Sequence, residues 1–258
     1  MRLLAAGDVV HHLLDYELLG RVFTAHHVLL LVVAGLTIWL FSWAAKGIAT
    51  KPKKTGLLAL LEVGLVFVRD DIVYPWLGEE RGRRYLPFFW TLFFFILFSN
   101  MIGMTPFPLN PWHRTATGNL AVTGALAVIA FLTIQISGMK QHGWGHYWIN
   151  LVPHGVPKPL WPIVWMIEFV GLFTKPFALT VRLFANMTAG HAILAVLFGF
   201  LWGIAHYTNA AIGATATTAT FAFMLFIMLF ETLVALIQAY IFTVLTAIFT
   251  SLAVAEEH

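Results

Sequence analysis

Cysteine is absent from this 258-residue chain, and charged side chains are scarce. Without thiols the chain can form no disulfide bond, thiolate metal site or cysteine nucleophile. Asp, Glu, Lys and Arg make up only 10% of the residues, whereas hydrophobic residues make up 60% and fall in long blocks. This pattern is typical of a polytopic membrane protein. Phosphate-loop, nucleophile-elbow and metalloprotease motifs are also missing, so we predict no catalytic residue, no metal site and no cofactor.

Three apolar segments predict the first three membrane spans, at residues 28–45, 86–104 and 120–139. A spanning helix needs about 20 apolar residues, because the hydrocarbon core is about 30 Å thick. Residues 55–68 are too few to cross it comfortably, and they include Glu62. We therefore interpret this segment as an interfacial helix.

The C-terminal part is predicted to form a long, strongly tilted helical hairpin over residues 176–254. Residues 210–255 carry a single charge, Glu231. As one continuous helix they would measure about 69 Å, more than twice the hydrocarbon core. Lys175-Pro176 interrupts the apolar residues before the hairpin, so we expect its first helix to begin there. The predicted fold class is an all-α polytopic membrane protein with about five spanning helices plus the interfacial helix.

Basic residues predict the orientation of the chain in the membrane. Residues 46–84 hold eight of the 15 Lys and Arg, and residues 140–158 hold two more, whereas the opposing loops hold only Arg114. Basic loops stay in the cytoplasm, so we expect the N-terminus outside and the C-terminus inside. The net charge of +3 therefore does not indicate a nucleic-acid partner. We divide the chain into an outside segment (1–27), two spans with the interfacial helix (28–104), a third span with loops (105–159) and the hairpin (160–258).

Arg182 is the residue that most needs an explanation. It lies in an apolar stretch from residue 176 to residue 205 whose only other ionisable side chain is His191. A charged arginine in hydrocarbon costs from a few to more than about ten kcal/mol, so it normally faces protein or a water-filled cavity. Snorkelling is the simpler alternative, because Arg182 is only about 9 Å of helix from Pro176.

Helical spacing groups the other polar residues around Arg182. At about 100° per residue, His191 falls on the opposite face of the helix from Arg182. If the helix keeps its register through Pro176, one face carries four polar side chains: Glu168, Lys175, Arg182 and Asn186.

The last helix offers a matching pair, because Glu231 and Gln238 are seven residues apart and share a face. Antiparallel packing then brings Gln238 level with Arg182 and Glu231 level with His191. We predict two polar layers in the hairpin, one with an arginine and an amide and the other with a histidine and a carboxylate. Titratable groups of this kind are what a proton path needs.

Simpler interpretations exist for each residue. A histidine such as His191 on an apolar helix is more often a hydrogen-bonded packing residue, and Glu231 has structural pairing as its alternative. Asn186 and Gln238 are also explained by interhelical hydrogen bonding alone. The alternative for Glu168 is a position at the membrane interface. All of these residues fall into one common register of the predicted hairpin. Because independent packing residues would not be expected to align in this way, the shared register weakens every one of the simpler interpretations.

Several motifs resemble those of subunit a of F-type ATP synthase, the proton-channel subunit of the membrane motor. The segment KPFALTVRLFANMTAGH (175–191) resembles the signature of that family. Glu231-x6-Gln238 followed by AYIFTVLTAIF is similar to its last helix. NMIGMTP (100–106), which begins with Asn100, is similar to its second-span motif, and PHGVP (153–157) to its middle loop.

The resemblance implies a role for each polar residue of the hairpin. Arg182 would be the essential arginine that faces the ring of c subunits, with Asn186 and Gln238 as its polar neighbours. His191 and Glu231 would form the relay pair of the half-channel open to the outside. The cytoplasmic half-channel would be lined by Glu168.

The resemblance also implies the surroundings of the chain. Its partners would be the c-ring, the b subunits of the peripheral stalk and the lipid bilayer of a bacterial plasma membrane. Many bacterial members carry the acid at the position of His191 and the histidine at that of Glu231, so the pair is exchanged here as in mitochondrial-type members. Gly103 stands where the family often has an acid, and we assign no acid role there.

Three other hypotheses compete with a proton channel. A proton-coupled solute transporter would usually show internal repeats, and none is visible. A haem-binding membrane anchor would use His191 and His206, and a visible absorption spectrum would identify it. A purely structural membrane subunit leaves Arg182 and Glu231 unexplained. The N-terminal histidines lie at or before a membrane boundary, which argues against a metal or haem site there: His11, His12, His26 and His27.

Overall fold

The computed structural model describes residues 25–50, 56–103, 116–149, 156–207 and 210–255. Almost all of these residues are helical, and no strand occurs among them. Most of the predicted outside segment (1–27), much of the loop after the second span and much of the PHGVP loop lie outside these ranges. Within these ranges seven α-helices follow one another: α1 (Ala25–Thr50), α2 (Leu57–Phe67), α3 (Tyr74–Gly103), α4 (Leu120–His142), α5 (Trp144–Ile149), α6 (Trp161–Tyr207) and α7 (Ala210–Val254).

Five segments of the described chain are long and apolar enough to cross a membrane. They are Val28–Ala45, Leu57–Gly103, Leu120–His142, Lys158–Leu197 and Gly213–Val254. The predicted all-α polytopic fold with five spans is therefore confirmed. The tilt of the last two helices stays a prediction.

The chain reverses direction at Gly78. Its φ of 72° and ψ of 168° break the helical geometry inside α3, in a region of backbone space that glycine tolerates best. As a result α2 packs antiparallel to the later part of α3. The indole Nε1 of Trp90 donates a 2.9 Å hydrogen bond to the carbonyl of Leu65, and Gly64 lies against the ring of Phe94. The segment predicted as an interfacial helix thus packs along an apolar part of α3, and its position at the interface stays a prediction.

The break that we predicted at Lys175-Pro176 is wrong. Helix α6 runs without interruption from Trp161 to Tyr207 and contains Pro176. Proline removes one backbone hydrogen bond, but its fixed φ is compatible with a helix. Membrane helices tolerate such a loss where neighbouring helices and side chains support the backbone. The continuous helix keeps Glu168 and Arg182 in one helical register, which was the condition for their sharing a face.

The C-terminal half of helix α7, from Ala235 onward, is packed into the bundle. Its side toward α3, α4 and α6 presents small buried residues, Ala235, Ala239 and Ala247, around the fully buried ring of Phe242. Small side chains let helix backbones approach closely, which is the main source of packing energy between helices in lipid. Leu183 of α6 is also fully buried. The opposite sides of α6 and α7 are exposed in the isolated chain.

Candidate functional site

Helices α6 and α7 pack antiparallel, and two side-chain contacts show their register. Near one end, Nζ of Lys175 lies 4.9 Å from the centroid of the Phe249 ring. Further along, Nδ2 of Asn186 donates a 3.0 Å hydrogen bond to Oε1 of Gln238. Residue numbers rise in α6 as they fall in α7, as antiparallel packing requires. The polar side chains of the two helices are therefore brought together along one seam.

Gln238 is the buried centre of this seam, with only 1% of its surface exposed. Its oxygen is paired with Asn186, whereas its Nε2 has no hydrogen-bond partner in the part of the chain that the structure describes. We predicted Gln238 to lie level with Arg182. Its partner is instead Asn186, one helical turn beyond Arg182 in α6. The amide pair and the guanidinium are therefore neighbours in the helix without being bonded to each other.

Arg182 has an exposed side chain. Among the described residues, none makes a hydrogen bond or an ion pair with it. Three exposed alanines of α6 lie beside it: Ala178, Ala185 and Ala189. Because an unpaired guanidinium in hydrocarbon is costly, this face requires a partner that the described residues do not supply.

Glu231 lies against the backbone of α6 at Gly190. A Cβ atom added to Gly190 would come within 2.8 Å of the carboxyl carbon of Glu231, closer than real Cβ contacts. Glycine is therefore required here for the carboxyl group to sit between the helices. One carboxylate oxygen, Oε1, is buried without a hydrogen-bond partner among the described residues. The neighbouring His191 has a helical backbone, but its side chain lies outside what the structure describes, so its contact with Glu231 stays a prediction.

A cavity of about 230 Å³ lies between α6 and α7 beside Glu231. Its polar lining comes from Asn186 and Glu231, and its other walls are mostly apolar. Water occupies about 30 Å³ per molecule in the liquid, so the cavity has room for several waters. The unpaired Oε1 of Glu231 would accept a hydrogen bond from one of them. This arrangement can hydrate a titratable carboxyl group next to the amide pair of Asn186 and Gln238.

Two predicted residues lie apart from this cavity. Glu168 is partly buried on α6, on the segment before Lys175. Asn100 is fully buried in α3, where its Oδ1 accepts a 2.7 Å hydrogen bond from the hydroxyl of Thr117. Thr117 belongs to a short 3-10 turn, Ala116–Gly118. Asn100 thus ties α3 to the residues that lead into α4, and its hydrogen bond goes to none of the other predicted site residues.

Comparison with known proteins identifies the family. A family model described as ATP synthase A chain matches residues 27–251. The chain is 42% identical over 259 residues to ATP synthase subunit a of Myxococcus xanthus, an alignment that covers 100% of this chain and 80% of that protein. It is 40% identical over 271 residues to ATP synthase subunit a of Chloroherpeton thalassium, covering 97% of this chain and 77% of the relative. This chain belongs to the ATP synthase A chain family.

Membership makes the protein a multi-pass membrane subunit of the ATP synthase complex. The function predicted from its motifs, that of the proton-channel subunit of F-type ATP synthase, is confirmed at the level of the family. A solute transporter, a haem-binding anchor and a purely structural subunit are correspondingly disfavoured. The roles of individual residues do not follow from family membership and depend on the geometry given above.

Sequence reasoning missed Gly190. The signal was present, since Gly190 stands directly before His191 in a helix where glycine is unfavourable by about 1 kcal/mol relative to alanine. A glycine kept at such a place often marks a close approach of another group to the backbone. In this chain the approaching group is the carboxyl group of Glu231.

Proposed function

We propose that Arg182 faces the ring of c subunits and separates two offset half-channels through which protons reach and leave that ring. The observation that carries this proposal is an exposed guanidinium, beside three alanines, for which the described part of the chain offers no partner. A carboxylate on the ring would supply the missing counter-charge. The two helices that form the seam, α6 and α7, would then be the stationary side of the motor.

The proposed mechanism is electrostatic. A ring carboxylate can pass through lipid only in its neutral form, because burial of an unpaired charge is costly. Beside Arg182 the ionised form is favoured, since an opposite charge within about 4–6 Å stabilises it. The carboxylate must therefore release its proton on one side of Arg182 and take up another on the other side.

The half-channel open to the outside would run through the cavity at Glu231. Its titratable groups are Glu231 and His191, and the Asn186–Gln238 pair leads from the cavity toward Arg182 along the seam. The cytoplasmic half-channel would pass Glu168, which lies on the same helix before Arg182. A proton that enters at Glu231 would reach Glu168 only after travelling round the ring.

The membrane potential supplies the energy for this cycle. Each charge that crosses the membrane releases about 2.3 kcal/mol per 100 mV. The proposed subunit makes and breaks no covalent bond itself, so it is not an enzyme on its own. Its role is to keep the two half-channels apart, so that each proton must travel round with the ring before it can leave.

The proposal includes the position of the chain in the cell. We place it in a bacterial plasma membrane with the N-terminus outside and the C-terminus in the cytoplasm, as the basic loops predict. Besides the c-ring, we propose the b subunits of the peripheral stalk as partners, because a stationary subunit must be held against rotation.

Purification from native membranes tests the proposed partner. We expect the tagged full-length chain, extracted in mild detergent, to co-purify with a ring of small two-helix subunits. An Arg182→Glu variant should lose this ring selectively, because it presents a carboxylate to the ring's carboxylates. Purification of a complex without any such ring from wild-type membranes would contradict the proposal.

Exchange of the two titratable residues tests the proposed outside half-channel. We expect His191→Glu combined with Glu231→His to retain more ATP-driven proton pumping than either single variant, because the pair is preserved. Pumping is measured by quenching of a pH-sensitive dye in inverted membrane vesicles. Losses in the double variant that equal the combined losses of the single variants would argue against a relay pair.

A further inference from the structure

The C-terminal turn of α7 is held by hydrogen bonds from α3. Nη1 of Arg81 donates a 2.9 Å hydrogen bond to the carbonyl of Val254, the last residue of the helix. The hydroxyl of Ser251 donates a 2.6 Å hydrogen bond to the carbonyl of Trp76. Val254 is buried, with 4% of its surface exposed. The end of the helix is therefore attached to the bundle at two points one turn apart.

A third attachment comes from α4 and α5. A Cβ atom added to Gly138 would lie 3.0 Å from the carbonyl oxygen of Ala253 and would also meet the ring of Tyr147. The three groups are thus in close contact. The hydroxyl of Tyr147 donates a 2.8 Å hydrogen bond to Oε1 of Gln135, and both side chains are buried. Burial raises the pKa of the Tyr147 phenol above its ordinary value, which keeps it in the neutral form that donates this bond.

These contacts suit the chemistry of a helix end. The last four carbonyl groups of a helix have no partner within it, and together they carry a partial negative charge. A guanidinium that donates to the final carbonyl satisfies one of them and complements that charge. We use the name C-terminal socket for the four residues that receive the end of α7: Trp76, Arg81, Gly138 and Tyr147.

We propose that the C-terminal socket sets the axial position and rotation of α7, and that Arg81 is the positioning residue that keeps Glu231 opposite Gly190 and Gln238 opposite Asn186. A helix transmits a shift of its end along its whole length, and one turn corresponds to about 5.4 Å. Such a shift would move the carboxyl group away from Gly190, which accommodates it. The consequence for transport rests on the proposed function, whereas the positional claim does not.

Disulfide formation measures the position of α7 directly, because the natural chain has no cysteine. A Cβ at Gly190 lies 3.4 Å from Cγ of Glu231, which places positions 190 and 231 directly opposite each other, as a disulfide between cysteines there requires. This in-register pair is Gly190→Cys with Glu231→Cys. Two out-of-register pairs combine Gly190→Cys with Ile227→Cys or with Val234→Cys, which lie about one turn away along α7. All are made in the full chain and oxidised in native membranes.

In the wild-type background we expect a disulfide in the in-register pair and little in the other two. Arg81→Ala should lower the in-register yield and raise at least one out-of-register yield, whereas Arg81→Lys should restore most of the parent pattern. Arg83→Ala is the matched control, because Arg83 lies on the same segment but bonds the exposed Glu79 at 3.1 Å. A general loss of stability would lower the disulfide yield of all three cysteine pairs together, without raising the yield of one pair while that of another falls.

An unchanged pattern in Arg81→Ala, or the same change in Arg83→Ala, would overturn the proposal. If Arg81→Ala does not accumulate in membranes, Ser251→Ala removes a single hydrogen bond from the same turn and must shift disulfides in the same way. Its failure to do so would also overturn it. The assay requires no proton transport, so its outcome is independent of whether the chain binds the c-ring.

Discussion

Arg182→Ala is expected to abolish ATP synthesis driven by a proton gradient, to the level of membranes treated with an uncoupler. The exposed guanidinium has no partner in the described chain, so its proposed counter-charge is the ring carboxylate. In the proposed mechanism, without Arg182 nothing holds that carboxylate ionised between the two half-channels, and protons would cross without turning the ring. Synthesis is measured in inverted vesicles energised by respiration, alongside the passive proton leak.

Val181→Ala is the control for this experiment, because Val181 is also exposed on α6, with 40% of its surface accessible. It removes apolar contact area beside Arg182 and leaves the charge. We expect it to assemble and to synthesise ATP at close to the wild-type rate. Wild-type synthesis by Arg182→Ala would remove the central claim of the proposed function, and equal losses in both variants would show that only packing of this face is being measured.

Gly190→Ala should produce the second largest loss, in ATP-driven proton pumping. The added methyl would occupy the space of the Glu231 carboxyl group, whose carbon would be 2.8 Å from it. The flexible glutamate side chain can relieve this clash at little cost to stability by moving out of its place beside the cavity. We therefore expect the subunit to assemble in normal amounts while pumping falls severely.

Gly199→Ala provides the comparison on the same helix, because a Cβ added there meets nothing within 4 Å. It should leave pumping unchanged. Adding Glu231→Asp to Gly190→Ala shortens the acid by one methylene and should restore part of the activity. Normal pumping in Gly190→Ala, or no benefit from the shorter acid, would contradict the assignment of this contact to the proton path.

The sequence was sufficient to predict the five spans, because the length of an apolar block with few charges can be compared directly with the thickness of the bilayer. It also predicted that α6 and α7 bring their polar residues together. The break at Pro176 was wrong because a rule for helices in water was applied to a helix supported by neighbours in lipid. The reversal at Gly78 was not predicted, since a single glycine among charged residues has no periodic pattern to reveal it.

The candidate site was predictable in its residues and less so in its contacts. Spacings of seven and nine residues fix which side chains share a face, but they leave the sliding of one helix along the other undetermined. The packing of α6 against α7 determines how far one helix is displaced along the other, and it pairs Gln238 with Asn186 and not with Arg182. The close contact that places the carboxyl group of Glu231 occurs at Gly190. Because glycine has no side chain, a search for titratable groups does not identify it.

The small residues around Arg182 have a mechanical consequence. If large side chains of two surfaces interlocked, sliding one surface past the other would require crossing an energy barrier at every step. The strip formed by the three alanines Ala178, Ala185 and Ala189 has no side chain long enough to interlock with a neighbour. In the proposed motor it would act as a smooth bearing with one fixed charge, so that friction stays low and the resistance to motion depends on whether the passing carboxyl group is protonated.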